Sequence, residues 1–299
     1  MFRRAAFKNQ TDRICGALAV AALLLAGCAV TPKMEERPSP PEMPPPERII
    51  SGSNGRPVSF DAMLVDLLTV PVVYIGEKHT SAEHHAFQLR VIQALHLQSP
   101  QPAVAMEMFD RSYQAVLDLW SAGQLDEDEF LRRTHWYANW RFDYALYRDI
   151  LEYAREQKFR LVALNLPFNI PPKIRVGGIE HLSPYEKGFL PAKVDTAVAA
   201  HREFAQKIFS MHDFKSNVRF EDFYMAQCVW EEVMAESVAG SLGDGRLVVL
   251  AGNGHIQYKY GIPERAFKRN GAAYRTIYQA SPGEEADPSI ADYIFVPSP

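Results

Sequence analysis

Apolar and polar positions follow two rhythms along the chain. Apolar runs at residues 70–75, 103–109, 160–165 and 247–251 each stop at a polar or glycine position. Between them, apolar residues recur at spacings of three and four, the pattern of a helix that buries one stripe. The clearest case is Val72-Val73-Tyr74-Ile75, then Gly76-Glu77-Lys78-His79, then Ala82, Ala86, Leu89, Ile92 and Leu95. It predicts a strand, a tight loop and a helix, with Thr80 and Glu83 as a capping box at the helix start. Ser59 is expected to cap a short helix carrying Met63, Leu64, Leu67 and Leu68. Further helices are expected over Tyr113, Val116, Leu117 and Trp120, over residues 126–131, and through Leu146, Ile150, Leu151 and Ala154. Residues 167–242 give no convincing strand but two long helical patterns, at about 196–211 and 220–242. Strands return at 247–251, 274–278 and 293–296, with a short helix opened by Pro263.

Apolar strands separated by helices favour a parallel sheet covered on both faces. The expected fold is therefore α/β: a mostly parallel sheet with helices on both faces, plus an inserted helical subdomain. Residues 49–166 and 243–299 would form the α/β domain and residues 167–242 the helical insertion.

The N-terminus has a different character. Arg3, Arg4, Lys8 and Arg13 precede a short apolar stretch at residues 16–25. That stretch falls short of the ~20 residues a membrane span needs, so residues 1–27 read as a cleaved signal. Leu25-Ala26-Gly27-Cys28 is similar to the lipobox of bacterial lipoproteins, which implies lipidation of Cys28. More than one acyl chain on Cys28 is enough for stable anchoring. Ala29 after Cys28 suggests, by resemblance to Gram-negative lipoproteins, a lipid-anchored, periplasm-facing place at the outer membrane. Residues 28–48 are rich in Pro and read as an extended, solvated linker.

Without the four basic residues and Asp12 of the signal, 28 basic and 35 acidic residues remain, a net charge of about −7. No basic stripe marks a nucleic-acid partner. Cys228 alone remains after Cys15 and Cys28, so no internal disulfide is expected, and its helix-periodic neighbours predict a buried, inert thiol.

The candidate chemistry lies at strand ends. Glu77 and His79 follow the first strand, Glu107 closes the second, Asn165 the third and His255 the fourth. In a parallel sheet these ends share one edge, where open α/β sheets place their ligands. Two carboxylates and two imidazoles there offer two chemistries. They could ligate a divalent metal, or a Glu beside a His could activate water as a general base. The first helical turn carries His84 and His85, where a solvated or packed ring is expected. No Gly-x-Ser-x-Gly, phosphate-binding loop, His-Glu-x-x-His helix or full dinucleotide fingerprint is present. Residues 134–147 are dense in aromatics and are expected to pack or form a lid. They also bear on haem, which needs flat apolar walls and accepts a phenolate on ferric iron. Tyr137, Tyr144, Tyr147, Tyr258 and Tyr260 are candidates for that phenolate.

Four segments in order, Gly76-Glu77-Lys78-His79, Met106-Glu107-Met108-Phe109, Tyr147 with Ile150-Leu151 and Ala154-Arg155, and Gly252-Asn253-Gly254-His255 ahead of Gly261-Ile262-Pro263, resemble the ChaN-like haem-binding uptake lipoproteins. The resemblance covers about residues 60–267. It implies an α/β domain with a smaller helical part, haem as cofactor, and a role in iron acquisition beside an outer-membrane haem receptor. It further implies a homodimer on haem binding, with two stacked haems. Each iron takes a Tyr ligand from one subunit, while His and Lys from the other meet the propionates. Tyr258 with Lys259, next to His255, is the first candidate for this role and Tyr147 the second, with His79 as a further contact. The wider superfamily includes erythromycin-esterase-like and Tiki/TraB-type proteins. Glu77, His79, Glu107 and His255 therefore also support a metal-dependent or Glu/His-dependent periplasmic hydrolase.

Overall fold

The four apolar runs become four adjacent strands on one side of a single sheet. In a computed structural model of the chain, the described residues are 47–98, 102–211, 218–243, 245–285 and 287–298. The expected signal, Cys28 and all but the end of the Pro-rich linker lie outside them. The strands are β1 (Arg48–Ser51), β2 (Pro57–Val58), β3 (Val72–Glu77), β4 (Ala103–Asp110), β5 (Leu161–Asn165), β6 (Leu247–Gly252), β7 (Tyr274–Gln279) and β8 (Tyr293–Val296). Their order is β2-β1-β8-β7-β3-β6-β4-β5. All pairs from β8 to β5 are parallel; β1 pairs antiparallel with β8 and with β2. The edge pair was not anticipated, because two strands of four and two residues carry too little alternation to register. Pro57 on the outermost strand is where a missing backbone donor does least harm.

Eleven α-helices lie among the described residues. Those between β2 and β5 are α1 (Phe60–Leu67), α2 (Ala82–Gln98), α3 (Gln114–Ser121), α4 (Glu127–Thr134), α5 (Trp136–Asn139) and α6 (Arg148–Glu156). The insertion holds α7 (Ile170–Gly177), α8 (Pro184–Lys187), α9 (Ala199–Met211) and α10 (Phe220–Ser241), and α11 (Ile262–Asn270) follows β6.

Side-chain alternation sends the two faces of each strand to different helices. Val73, Ile75, Val104, Met106, Val248 and Leu250 join one core with Met63 and Leu67 of α1, Phe87 and Val91 of α2, and Trp120 of α3. Their neighbours Val72, Tyr74, Ala105, Val162 and Val249 join a second core with Met234, Ala235 and Val238 of α10 and Ile262 of α11. Helices therefore cover both faces. The inserted helices also close a small core of their own around Ile170, Ile174, Val229 and Val233. Through α10 they are nonetheless continuous with the sheet, and the described residues all fall within one compact unit, Pro44–Pro299.

The caps are informative about the first loop. Ser59 accepts the Ala62 N–H at 3.1 Å, as expected. At α2 the cap is Ser81 rather than Thr80: its Oγ accepts the His84 N–H at 3.3 Å and donates to Glu83 at 2.7 Å. Glu83 therefore sits one residue too early to complete a capping box. The extra residue lengthens the loop between β3 and α2, which leaves His79 on the loop.

Candidate functional site

Glu77 and His79 form the first half of the site. Glu77 is the last residue of β3 and is buried. The His79 Nδ1–H donates to Glu77 Oε1 at 2.7 Å. Tyr147 donates its hydroxyl to the same oxygen at 2.6 Å, and Gln88 donates to Oε2 at 2.8 Å. His85 Nε2 stands 3.5 Å from Oε1, its ring edge-on to Tyr147. Burial alone would raise the Glu77 pKa, but bonds to His79 and His85 outweigh it and hold the carboxyl well below its usual range. For His79, burial acts downward and is outweighed by Glu77 and then Glu107, so its pKa is raised.

Glu107 and His255 form the second half, across β6. Glu107 Oε2 accepts the Gly252 N–H at 2.7 Å, and His255 Nε2 stands 3.5 Å from Oε1. On its other side His255 Nδ1 lies 3.5 Å from Glu231 of α10. Gln227, four residues before Glu231, donates to that carboxylate at 2.7 Å. Glu231 in turn lies 3.3 Å from His201 and 3.4 Å from Arg265. Burial would lower the His255 pKa, but the flanking carboxylates Glu107 and Glu231 push it up to about 10.

Gly252 explains how the halves meet. A Cβ at this position would stand 2.9 Å from His79 Cε1, 3.0 Å from Nε2 and 3.6 Å from Glu107 Oε2. The missing side chain is thus the gap over which the His79 ring and the Glu107 carboxylate approach. Gly76 does the same on β3, since a Cβ there would stand 2.1 Å from Asn253 Oδ1. The two acids and two imidazoles expected at separate strand ends are brought to one edge of the sheet. Asn165 is there too, in a structural part: it donates to the Glu107 carbonyl at 2.9 Å and its Oδ1 accepts the Leu166 N–H.

Two of the cavities formed by the described residues matter here. One, of about 390 Å³, is lined by Glu77, Lys78, His79, Phe142, Gly252 and Ser281, among others. The other is a larger cleft of about 990 Å³. Its aromatic walls are Tyr113, Trp140, Phe142, Phe168, Phe189 and Trp230, and Arg141, Lys173 and Tyr185 also line it. The rings of Trp140 and Phe142 pack 4.9 Å and 4.8 Å from the His79 ring, so the aromatic segment 134–147 is the wall between the charged edge and the cleft.

The order of these segments matches a known pattern. A family model described as haem-binding uptake, Tiki superfamily, ChaN covers residues 63–266. The chain belongs to this ChaN family. The ChaN-family chain is similar in fold to the structure of cofacial haem binding to ChaN of Campylobacter jejuni, with a TM-score of 0.68 and 19% identity over 84% of this chain and 96% of that one. An erythromycin esterase in its open conformation matches at a TM-score of 0.47 and 14% identity, over 84% of this chain and 83% of that one. The curated protein RETICULATA-RELATED 5, chloroplastic, of Arabidopsis thaliana is 23% identical over 256 residues, 77% of this chain. The chain spans about a third, 34%, of the length of that relative.

Several site expectations change within this ChaN-family frame. Tyr147 is not an open iron ligand: it is fully buried, its hydroxyl is given to Glu77, and burial and then the Glu77 charge push its pKa up. Tyr258 and Lys259 lie just beyond the charged edge. Tyr258 stacks on Tyr260 at 5.6 Å and is half-buried, while Lys259 is paired with Asp292 at 2.7 Å. Both adopt a positive φ, 54° and 65°, which few residues other than glycine do. His84 is structural: its Nδ1 accepts the Lys78 N–H at 2.9 Å, so its Nε2–H donates to the Ala280 carbonyl at 3.1 Å. Cys228 is buried, and burial pushes its thiol pKa up to about 12, as an inert thiol requires.

The divalent-metal expectation finds no support. Among the described residues no group of three or more His, Cys, Asp or Glu side chains is placed to hold a metal ion. The reason is visible in the bonding, because Glu77 and Glu107 are already occupied by imidazoles, an amide, a phenol and a backbone N–H. Sequence reasoning missed Glu231 and Gln88, which bond to or flank the charged edge. The signal for Glu231 was present: it follows Gln227 by one helical turn beside a stripe that is otherwise apolar. Gln88, on a helix whose apolar stripe alone was read, carried none.

The pair of carboxylates around His255 makes stability depend on pH with a fixed sign. Its folded pKa of about 10 lies above the ordinary imidazole value of about 6.5. Its contribution is therefore full below about pH 6.5 and is lost as pH rises toward about 10. Urea unfolding of the wild type should show stability falling through that window, and His255→Gln should flatten the fall; equal slopes for the two would contradict the pairing.

Proposed function

We propose that this protein is a lipid-anchored haem-binding protein that takes part in haem or iron uptake at the outer membrane. The observation that carries the reading is the ChaN family match over residues 63–266, which spans the whole site. The cleft fits the cofactor. A flat macrocycle needs apolar aromatic walls, which Trp140, Phe142, Phe168 and Phe189 offer, with cationic Arg141 for the propionates. The Trp230 indole N–H, buried and without a hydrogen-bond partner among the described residues, lines the same cleft. Haem, when bound, would supply the redox and ligand-binding chemistry of its iron; Trp140, Phe142, Phe168 and Phe189 would supply walls and Arg141 charge.

The lipid anchor rests on Leu25-Ala26-Gly27-Cys28 and the Pro-rich spacer after it. Among the described residues no helix is long and apolar enough to cross a membrane. An outer-membrane haem receptor is the donor this reading implies, and a homodimer on haem binding is the assembly it implies.

A second reading has its own observation. His79 is bonded to Glu77 at 2.7 Å through Nδ1, and the pair lines the 390 Å³ cavity. A carboxylate that orients an imidazole in this way leaves Nε2 to take a proton from water, as a hydrolase acting on peptides or esters requires.

Hemin added to the wild-type chain should shift and sharpen the Soret band to saturation and convert monomer to dimer in sedimentation. A flat titration sinks the haem reading. The wild type should fractionate with outer membranes, and Cys28→Ser should move to the soluble periplasmic fraction; unchanged partitioning argues against the anchor. For the second reading, turnover of a panel of peptides and esters should fall at least a hundredfold in Glu77→Gln, and absence of turnover in the wild type retires it.

A further inference from the structure

We propose that Lys158, Arg160 and Arg246, at the amino edge of the sheet, form a binding site for a phosphate group carried by a small ester or a lipid headgroup. This edge is the far end of the strands from the charged site: β6 starts here at Leu247 and ends there at Gly252. The proposal does not depend on the haem reading.

The fold brings the three cations together. Strands β6, β4 and β5 are neighbours in the sheet, and Arg246 and Arg160 stand one residue before β6 and β5. Their carbonyls accept the Ala103 and Val104 N–H groups, each at 2.9 Å, so both backbones are fixed against the start of β4. Lys158 follows α6 in a turn closed by the Phe159 N–H, which returns to the Ala154 carbonyl at 2.8 Å. Its φ is 55°, at a place where glycine is the usual residue. All three side chains line a cavity of about 280 Å³, with Ser241, Gly243 and Gly245 among its other walls. No acidic and no aromatic side chain is among the described residues that line it.

The charge there is held in place without being neutralised. Arg246 donates through Nε to the Val70 carbonyl at 3.2 Å and through Nη2 to the Leu68 carbonyl at 2.9 Å. Its Nη1 is buried and meets no acceptor among the described residues, a state that buried polar groups rarely keep. Burial pulls the Arg246 pKa down, and no described carboxylate acts against it. Arg160 donates to the Ser241 carbonyl. By contrast, the buried Arg265 faces Glu231 and Glu232, and the half-buried Arg275 faces Asp66.

Helix ends account for part of the charge. Helix α10 ends at Ser241 and α6 ends two residues before Lys158. The carbonyl end of a helix carries about half a negative charge, so the two ends offset about one of the three cations. An excess of about two positive charges remains, which matches a phosphate monoester near neutral pH. Guanidinium groups on fixed backbones suit phosphate oxygens, which accept paired N–H bonds, and Lys158 adds a point charge. The cavity is at the small end for ligand sites, and without an aromatic wall it offers no stacking surface for a nucleobase or a porphyrin.

The test uses the full chain carrying Cys28→Ser. Calorimetric titration with glycerol 3-phosphate and with inorganic phosphate should show one site per chain, weakened by added salt, with acetate at least about tenfold weaker. Arg160→Ala and Lys158→Ala should each weaken the ester about tenfold, with unchanged circular dichroism. Lys158→Gly relieves the left-handed backbone, so it should melt no lower than the wild type and yet bind as weakly as Lys158→Ala. Vesicles of phosphatidylglycerol separate the two sources. If they displace glycerol 3-phosphate and sediment the chain but not its Arg160→Glu variant, the phosphate is a headgroup; if they do neither, it is that of a soluble ester. Asp244, between the two glycines, lies outside the described residues. Were its carboxylate the occupant of the cavity, phosphate would bind only after Asp244→Asn, and that result overturns the proposal. So does a wild type that binds neither phosphate nor vesicles, or equal affinity in the Arg160 and Lys158 variants.

Discussion

Buried charge at the carboxyl edge of the sheet is the constraint on which the rest depends. Glu77, Glu107 and Glu231 are withdrawn from water, each against at least one imidazole. An isolated carboxylate at such depth would protonate or drag in water. Here the signs alternate instead: Glu77, His79, Glu107, His255, Glu231, Arg265, with Glu232 bonded to Arg265 and Arg269 beyond. Such an array gives little net stability when complete, but removing one member leaves a buried charge alone, which typically costs ~3–5 kcal/mol. It therefore fixes geometry more than it adds stability. It holds β3, β4, the turn after β6, α10 and α11 in one arrangement.

The first thing so fixed is an aromatic wall. His79 is held through Nδ1, and its ring meets Trp140 and Phe142, which form part of the cleft. On the opposite side Tyr147, which anchors the end of the same aromatic segment, is tied to the same carboxylate. Residues 134–147 are thus stapled to the charged edge at their middle and at their end. A loop of this kind would otherwise be among the more mobile parts of a fold. Stapled, it is a rigid partition with charge on one side and apolar surface on the other.

The core fold was legible because it rests on periodicity. Strands β3 to β8 and helices α1, α2 and α10 follow from apolar spacing, and α11 from Pro263 at its start. The convergence of Glu77, His79, Glu107 and His255 followed from strand direction alone, once the strands were taken as parallel. What escaped was decided by contacts between segments distant in sequence. Glu231 reaches the edge only because α10 packs on the sheet, and no local pattern states that. Tyr147 looked like a free phenol until its neighbour across seventy residues was known. The cleft escaped for the same reason, since α5, α7 and α8 and the ends of β4 and β5 meet only in three dimensions. The cap at Ser81 rather than Thr80 is a smaller case, where two adjacent hydroxyls compete and the loop geometry chooses.

A pocket that looks catalytic therefore has a second physical use. The Glu77–His79 couple has the bonding of a general base and its orienting acid, yet it also anchors a binding wall. The two uses make opposite demands on His79. A base must exchange protons with a reactant near neutral pH, whereas an anchor is best left permanently bonded. The raised pKa of His79 and the lowered pKa of Glu77 both favour the bonded, charged pair. The Glu107 carboxylate beside Gly252 strengthens that bias by adding negative charge near the open side of the ring. An imidazole whose charged form is favoured in this way is less available as a proton acceptor. The electrostatics of the edge thus lean toward architecture, and leave the aromatic cleft on the far side of the wall as the open space beside it.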